Sequence, residues 1–431
     1  MVEQQGIAII GGGIAGLTAA HLLHDEHDIT LFEKSERIGG NAYTLRTRDG
    51  QEVDIAVAAF GKYSYTNFFK LLRELKIETV ASFGMDPLHS FGIGLSYCNL
   101  DTGERLHFTP SLRGLVGQKF KILKPSLIKD LFLLARGLKK AGDLFDSGKL
   151  DGLTVEDMLV ETGWTGGNVK LIYIGGLCLM SSMYCDDVLN APAAFFAEKL
   201  KKYDDLLPPK AAISVRFTKE RTRAYIDALS AGFRDRIVLH AEIRTVLREG
   251  GEVTLVMRDG AEEVFDGVIF ACNADQALGL LEKPTDMERK LLGAWRYTEG
   301  KVVVHTDHAY FPKRELMEGY TFLYRNKGRY IESSISGSLW ALPGVSRQSR
   351  LISTQHPNFP IEKDDIVFEK VFRTPIFDFK SCSTVKELPL LNGRNNTYYC
   401  GSHFGFGIHE DAVTSAIEVA RKLRARLQQE A

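Results

Sequence analysis

Glycines near the start of the chain are spaced for binding a phosphate. Residues 11–16 read Gly-Gly-Gly-Ile-Ala-Gly, so Gly11, Gly13 and Gly16 form a G-x-G-x-x-G pattern around Ile14 and Ala15. In this pattern the first glycine permits a tight turn, and the second lets the backbone approach a pyrophosphate. The third lets a helix pack closely on a strand. The N–H groups of a helix N-terminus add a partial positive charge that favours phosphate.

Glu33 is the next residue whose type and position indicate a specific chemistry. It ends the apolar run Asp28–Phe32, which follows the glycine pattern. A carboxylate at this place accepts hydrogen bonds from the ribose hydroxyls of an adenosine. An acid here, rather than an arginine, argues against a 2′-phosphate and therefore against NADP.

The elements that must position these residues are a strand, a helix and a second strand. Gly6–Ile10 is a short apolar, β-branched run, which favours a buried strand, and residues 17–24 are typical of a helix. With Asp28–Phe32 as the next strand, the three form a βαβ unit. The sequence therefore predicts an α/β fold with a Rossmann-like dinucleotide-binding domain.

A second glycine pair indicates that the dinucleotide is FAD and not NAD. Gly39 and Gly40 follow Glu33 within the segment 33–41, which also contains Lys34, Arg37 and Asn41. This pair is no part of the minimal NAD pattern. The segment resembles E-x-x-x-x-x-G-G of FAD proteins in the amine oxidase and carotenoid desaturase superfamily. That resemblance implies FAD. We expect it to be non-covalent, because Cys400 lies in a predicted buried strand.

Four phrases extend the resemblance over nearly the whole chain: DITLFEK, CNADQALGLL, VVVHTD and CGSHFGFGIHEDAVTSA. They are similar to bacterial NAD/FAD-binding amine-oxidase-like proteins and to the flavin domain fused to plant cyclopropane-fatty-acid synthases. The resemblance implies that a first group of residues lies near the adenosine and a second near the flavin. The first group is Val246, Ala271 and Asn273. The second is Gly401, Ser402, His409, Glu410, Asp411 and Ala412.

The same resemblance implies two interleaved domains. The FAD-binding domain, of glutathione-reductase type, is expected to consist of residues 1–85, 211–280 and 392–431. Residues 86–210 and 281–391 are expected to form an α+β substrate domain. Its first part has helical spacing over 111–210, and its second part is strand-rich over 300–380.

Few residues are expected to carry chemistry themselves, because a flavin accepts the hydride and the protein supplies position and dryness. In amine oxidases a lysine on a similar strand bonds through water to the flavin, which makes Lys301 a catalytic candidate; the alternative is an exposed lysine at a strand start. His403 is a second candidate, facing the flavin or packing in the loop. Phe60, Phe404 and Phe406 are expected either to line a substrate pocket or to pack. No metal site is expected.

Three departures from the superfamily leave the reaction open. Asn41 replaces a basic or imidazole side chain, residues 55–62 (IAVAAFGK) replace a more polar segment, and residues 215–223 lack a glycine pair. The first hypothesis is dehydrogenation of an apolar, lipid-like substrate. Amine oxidation, a non-redox flavin isomerase and a flavin-binding protein without activity remain alternatives.

Bulk composition fits this picture. A chain of 431 residues with 44% hydrophobic residues suits two joined domains, and a net charge of -1 gives no nucleic-acid footprint. Six cysteines without a CxxC pair, and no signal peptide or membrane span by pattern, predict a cytoplasmic protein. Residues 119–140 carry seven basic residues and one acid beside a leucine stripe. This favours either peripheral contact with membrane lipid or a helix packed on the protein with a solvated basic face.

Overall fold

A computed structural model describes most of the chain. The described residues are 4–81, 94–108, 125–165, 167–207, 210–311, 319–328, 330–346 and 348–430. Statements below concern these residues.

Twenty strands are described, and they fall into five sheets. In chain order they are β1 (Gly6–Ile10), β2 (Asp28–Phe32), β3 (Thr44–Arg46), β4 (Glu52–Asp54), β5 (Phe60–Gly61), β6 (Thr79–Ala81), β7 (Gly94–Asn99), β8 (Arg105–Phe108), β9 (Val215–Thr218), β10 (Ile237–Val238), β11 (Ile243–Glu249), β12 (Glu252–Met257), β13 (Glu262–Phe265), β14 (Gly267–Phe270), β15 (Arg296–His305), β16 (Gly319–Lys327), β17 (Tyr330–Ser338), β18 (Ile352–Gln355), β19 (Ile366–Ile376) and β20 (Thr397–Tyr399).

The described α-helices connect and cover these sheets. They are α1 (Ile14–Leu23), α2 (Thr66–Glu74), α3 (Pro125–Asp146), α4 (Val155–Thr162), α5 (Gly167–Ser181), α6 (Cys185–Leu189), α7 (Ala193–Lys202), α8 (Ala211–Ser214), α9 (Arg221–Ser230), α10 (Ala274–Leu280), α11 (Asp286–Leu292), α12 (Phe379–Thr384) and α13 (His409–Glu430).

A parallel sheet forms the base of the dinucleotide site. Its order is β10-β2-β1-β14-β20, and every neighbouring pair in it is parallel. The apolar side chains of β1 are buried, as expected for a central strand covered on both faces. The carboxyl ends of β1, β2, β14 and β20 therefore meet at one edge. This arrangement confirms the predicted α/β class.

Two helices cover one face of the parallel sheet. Residues of α1 from Ile14 to Leu23 share a core with Val413, Ala416 and Val419 of α13. Because α1 lies between the sheet and α13, it is apolar on almost every side. The first and last segments of the chain are thus held together next to the glycine turn.

The segment 237–247 forms two strands that belong to different sheets. β10 joins the parallel sheet beside β2, whereas β11 pairs antiparallel with β12 in a separate three-stranded sheet. His240, between them, has a left-handed φ of 54° that turns the chain. The break brings Ala241 and Ile243 to the edge of the dinucleotide groove.

A seven-stranded sheet with the order β19-β15-β18-β17-β16-β7-β8 closes the other side of the molecule. Helices α3 to α7 pack beside it and supply much of the largest hydrophobic core, including Trp164, Tyr173 and Phe196. Within the described ranges no helix is both long and apolar enough to cross a bilayer.

Candidate functional site

The turn between β1 and α1 requires its glycines for different reasons. Gly11 has a φ of +114°, and a Cβ there would lie 2.8 Å from the carbonyl oxygen of Ala271. A Cβ on Gly16 would lie 1.9 Å from the carbonyl oxygen of Gly11, so Gly16 serves helix packing and not ligand contact. A Cβ on Gly13 would meet no atom within 4 Å. The open space above Gly13 leaves room for the pyrophosphate that the sequence predicts there.

Glu33 closes one side of this turn. Its side chain is almost fully buried, and its carboxylate accepts from the N–H groups of Gly12 at 2.7 Å and Ser35 at 2.9 Å. Each oxygen keeps a lone pair for a further donor, and Glu33 lies on the cavity wall. This geometry suits a pair of ribose hydroxyls.

Arg37 holds the second glycine pair against the first. Its guanidinium donates to the carbonyls of Ile38 at 2.8 Å and Gly40 at 2.7 Å and lies 3.9 Å from the centre of the Tyr43 ring. The Gly39 N–H donates to the Gly12 carbonyl at 2.7 Å. Gly40 has a φ of +56°. Arg37 therefore positions the loop even though it also reaches the cavity wall.

Strand β19 supplies a cation beside Asn41. The Asn41 side-chain amide donates to the Arg373 carbonyl at 3.3 Å, and the Arg373 guanidinium pairs with Asp275 at 2.7 Å. Arg373, Lys34 and Lys370 all line the cavity. Asn41 is uncharged where many superfamily members carry a basic side chain. Arg373 and Lys370 on the neighbouring strand β19 bring positive charge to this part of the cavity.

The loop before α13 forms the opposite wall with two buried histidines. Burial lowers the pKa of His403 to about 3 and that of His409 to about 4, so both rings are neutral near pH 7. His403 packs edge-on to Trp295 with ring centres 5.5 Å apart. His409 is hydrogen-bonded to the Tyr225 hydroxyl at 2.9 Å. A neutral ring can orient a ligand but brings no charge to it.

Glu410 and Asp411 are turned away from the cavity, contrary to their expected role near the flavin. The Glu410 carboxylate accepts from the N–H groups of Asn67 and Phe68, each at 2.9 Å, and so caps α2. Asp411 accepts from the N–H of Phe406 at 2.8 Å and the Tyr203 hydroxyl at 3.0 Å. Both carboxylates fix the loop before α13.

Other expected residues also lie off the cavity wall. Val246 faces the core of the β11–β13 sheet, and Ala241 and Ile243 take the place beside the groove. The Lys301 side chain is half exposed and pairs with Glu369 at 2.5 Å. Because its neighbours Gly300 and Val302 line the cavity, Lys301 faces outward. Its contact with flavin stays a prediction that this placement does not support.

The three aromatic pocket candidates pack instead of lining the cavity. Phe60 is fully buried against Phe68 and His409, with ring centres 4.6 and 5.7 Å away. Phe404 packs on His403, and Phe406 packs on Phe195. Their positions match the packing alternative.

The expected site residues that do converge lie around one cavity of about 930 Å³. They are Gly11, Gly13, Ile14, Ala15, Glu33, Lys34, Arg37, Gly39, Gly40, Asn41, Ala271, Asn273, Gly401, Ser402, His403, His409 and Ala412.

A buried lysine that the sequence did not single out braces this cavity. The Lys199 amine donates to the carbonyls of Met180 and Phe406, each at 2.9 Å, and burial lowers its pKa to about 8. It ties the end of α5 to the loop before α13. Its sequence context, Glu-Lys-Leu-Lys-Lys, is typical of a solvated helix face and carries no signal of burial.

The departures at 55–62 and 215–223 meet in an apolar wall of the same cavity. We call this the apolar wall: Ala58, Ala59, Leu206, Val215, Phe217 and Leu342, which belong to one hydrophobic cluster and line the cavity. Nearby, Arg221 takes the left-handed φ of 70° where a glycine was expected, held by hydrogen bonds to the carbonyls of Glu52 and Pro343.

The residues present fit FAD. The open space above Gly13 and the buried carboxylate of Glu33 suit the pyrophosphate and ribose, and the cavity continues beyond them to the apolar wall. Fold and site together define a dinucleotide-binding flavoprotein. Residues 14–347 match the family model described as flavin containing amine oxidoreductase, and the chain belongs to that family. Its cofactor is accordingly FAD.

Individual relatives share only part of their sequence with this chain. Flavin-containing amine oxidase B of Mus musculus is 33% identical over 98 residues, which are 22% of this chain and 19% of that protein. The human form is 36% identical over 92 residues, 21% of this chain and 18% of that protein. The matching region therefore spans about a fifth of the length of these curated relatives.

Solved structures match over the whole fold. A CLA-producing fatty acid isomerase from P. acnes has a TM-score of 0.70 at 16% identity, covering 98% of this chain and 99% of that one. Cyclohexylamine oxidase from Brevibacterium oxydans has a TM-score of 0.69 at 16% identity, covering 98% and 100%. At this identity the likeness establishes the shared fold.

Proposed function

We propose that the protein is an FAD-dependent oxidoreductase that dehydrogenates an apolar, lipid-like substrate. The family supports the oxidoreductase class, and the apolar wall is the observation that carries the substrate class. When bound, the flavin accepts a hydride from a substrate C–H bond. The residues of the chain would bind and orient the substrate and exclude water from it.

The apolar wall favours a hydrocarbon over a cation. Its six side chains offer no polar atom to a ligand, so an alkyl chain gains about 0.8 kcal/mol for each CH₂ that it buries there. A charged ammonium against the same surface loses its hydration without a partner. The carboxylate that lines this side of the cavity, Asp54, is already hydrogen-bonded to Thr44 and Thr222.

The neutral state of the two histidines supports the same interpretation. With a pKa of about 3, His403 does not take up the proton released when a C–H bond is oxidised near pH 7. His403 lies on the cavity wall outside the apolar wall, and it helps to determine the shape of the site. Dehydrogenation releases a proton with each hydride; bound flavin would accept the hydride, and the proton would leave to solvent through the partly open cavity.

Anaerobic mixing with two classes of substrate tests the proposal. We expect long-chain unsaturated fatty acids such as linoleate to bleach the oxidised flavin, and benzylamine and putrescine to leave it unchanged. Bleaching by the amines alone would refute the substrate class and establish amine oxidation. Formation of a conjugated diene without bleaching would refute net oxidation in favour of isomerisation, the reaction named for the similar fatty acid isomerase.

Variants of the apolar wall localise the effect. Leu342→Asp places a carboxylate on the wall, and we expect KM for linoleate to rise about tenfold or more. Leu342→Met keeps the wall apolar and serves as the matched control. Equal KM values in the two variants would show that the substrate does not contact this wall.

A further inference from the structure

Helix α3 presents an apolar face to solvent. Ile128, Leu131, Phe132 and Leu138 are exposed, Phe132 by 65% and Ile128 by 52%. They stand at i, i+3, i+4 and i+10, so they share one side of the helix. We call these four residues the α3 face.

The orientation of this face is fixed by packing on the opposite side. A Cβ on Gly137 would lie 2.1 Å from the Trp164 ring, so helix and ring are in close contact. The Trp164 indole donates to the Leu133 carbonyl at 3.1 Å, and Ala141 is buried. The helix therefore has no freedom to roll its apolar side chains inward.

Basic side chains lie beside the α3 face, and one of them, Lys139, lies within it. Lys129, Arg136, Lys139 and Lys140 are exposed on the same helix. Lys140 donates to the Glu161 carbonyl, and no described acid forms an ion pair with Lys129, Arg136 or Lys139. Apolar residues bordered by unpaired cations on a helix surface match the chemistry of an anionic lipid headgroup layer over hydrocarbon.

We propose that α3 docks the protein on the surface of an anionic lipid bilayer, with the α3 face in the acyl boundary and the basic flank among the headgroups. Each basic residue near such a surface is attracted to the anionic headgroups, and burial of the apolar side chains adds to the binding. The proposed binding is peripheral, with α3 lying in the plane of the bilayer surface. The inference does not depend on the reaction proposed above.

Vesicle sedimentation of the FAD-loaded protein tests it. We expect co-sedimentation with phosphatidylglycerol–phosphatidylcholine vesicles, much less with phosphatidylcholine alone, and a decrease with added salt because the cations are screened. The double variant Ile128→Glu/Phe132→Glu is expected to lose at least about nine-tenths of the binding. Lys129→Glu/Arg136→Glu is expected to remove the preference for anionic vesicles.

The matched control introduces the same charges on other exposed apolar residues. Val160 and Val264 are about as exposed as Phe132, and Val160→Glu/Val264→Glu should bind vesicles as the wild type does. Flavin absorbance reports that each variant is folded. Failure of the wild-type protein to bind anionic vesicles would overturn the proposal. So would a dimer, seen by light scattering, that the α3 double variant alone dissociates, since the face would then bind a second copy.

Discussion

At the scale of single residues, two side chains of the same type can have different roles because they are placed differently. Glu33 and Glu410 are both buried acids in segments expected to bind the cofactor. Glu33 lies on the cavity wall and can accept further hydrogen bonds, whereas the Glu410 carboxylate accepts hydrogen bonds from the backbone of α2. The sequence shows both as an acid near a glycine-rich turn. Only the hydrogen-bond partners show which of the two faces the cavity and can accept from a ligand.

Glu33→Gln tests the ribose contact. We expect the dissociation constant for FAD to rise about tenfold or more, because hydrogen bonds to a charged group are worth roughly 1.5–3 kcal/mol. Fluorescence titration of the apoprotein measures it. Glu36→Gln, at an exposed acid on the same loop, is the control and should bind FAD normally. Equal affinity in the two variants would rule out the role given to Glu33.

At the scale of elements, the last helix organises the site without lining much of it. α13 packs on α1, caps α2 through Glu410 and holds its own preceding loop through Asp411. The loop's carbonyl groups are in turn held by Lys199 from α7. Three elements distant in sequence, α1, α2 and α7, therefore contact α13 or the loop before it.

Glu410→Gln should weaken this arrangement without touching the ligand. Losing a charged cap costs roughly 1–2 kcal/mol in the free energy of unfolding, measured by urea denaturation. Glu418→Gln, at an exposed acid on the same helix, should change it little. Full stability in Glu410→Gln would mean that the cap of α2 does not contribute.

At the scale of the whole molecule, buried neutral histidines link stability to pH. Burial lowers the pKa of His305 and His409 to about 4 and that of His403 to about 3, against about 6.5 in an unfolded chain. The unfolded chain therefore takes up protons first as the pH falls. The stability that these histidines contribute is fully present above pH about 6.5 and is lost progressively as the pH falls toward their folded-state pKa values.

Urea denaturation of the whole protein between about pH 7.5 and about pH 5 measures this loss. Each histidine contributes up to about 1.4 kcal/mol per pH unit below 6.5. His305→Gln should reduce the slope by about that amount, while His240→Asn, at an exposed histidine, should not. A slope in His305→Gln equal to that of the wild type would show that folding does not lower the pKa of His305.

The sequence predicted the dinucleotide unit well because its glycines and Glu33 act through local geometry. The positive φ of Gly11 and the close approach of Gly16 to Gly11 both arise within the βαβ unit itself. It could not place Val246, Lys301 or the aromatic candidates, because their orientation depends on strand register and on packing partners far along the chain. Lys199 was missed for the same reason, since its carbonyl partners lie on α5 and in the C-terminal loop.

The FAD affinity of Gly13→Val tests the central claim most directly. A Cβ at this position meets no protein atom within 4 Å, so the apoprotein should still fold. The added side chain fills the space assigned to the pyrophosphate, and we expect FAD to bind at least about tenfold more weakly than to the wild type. Unchanged FAD affinity in a folded Gly13→Val protein would contradict the placement of the cofactor against this turn.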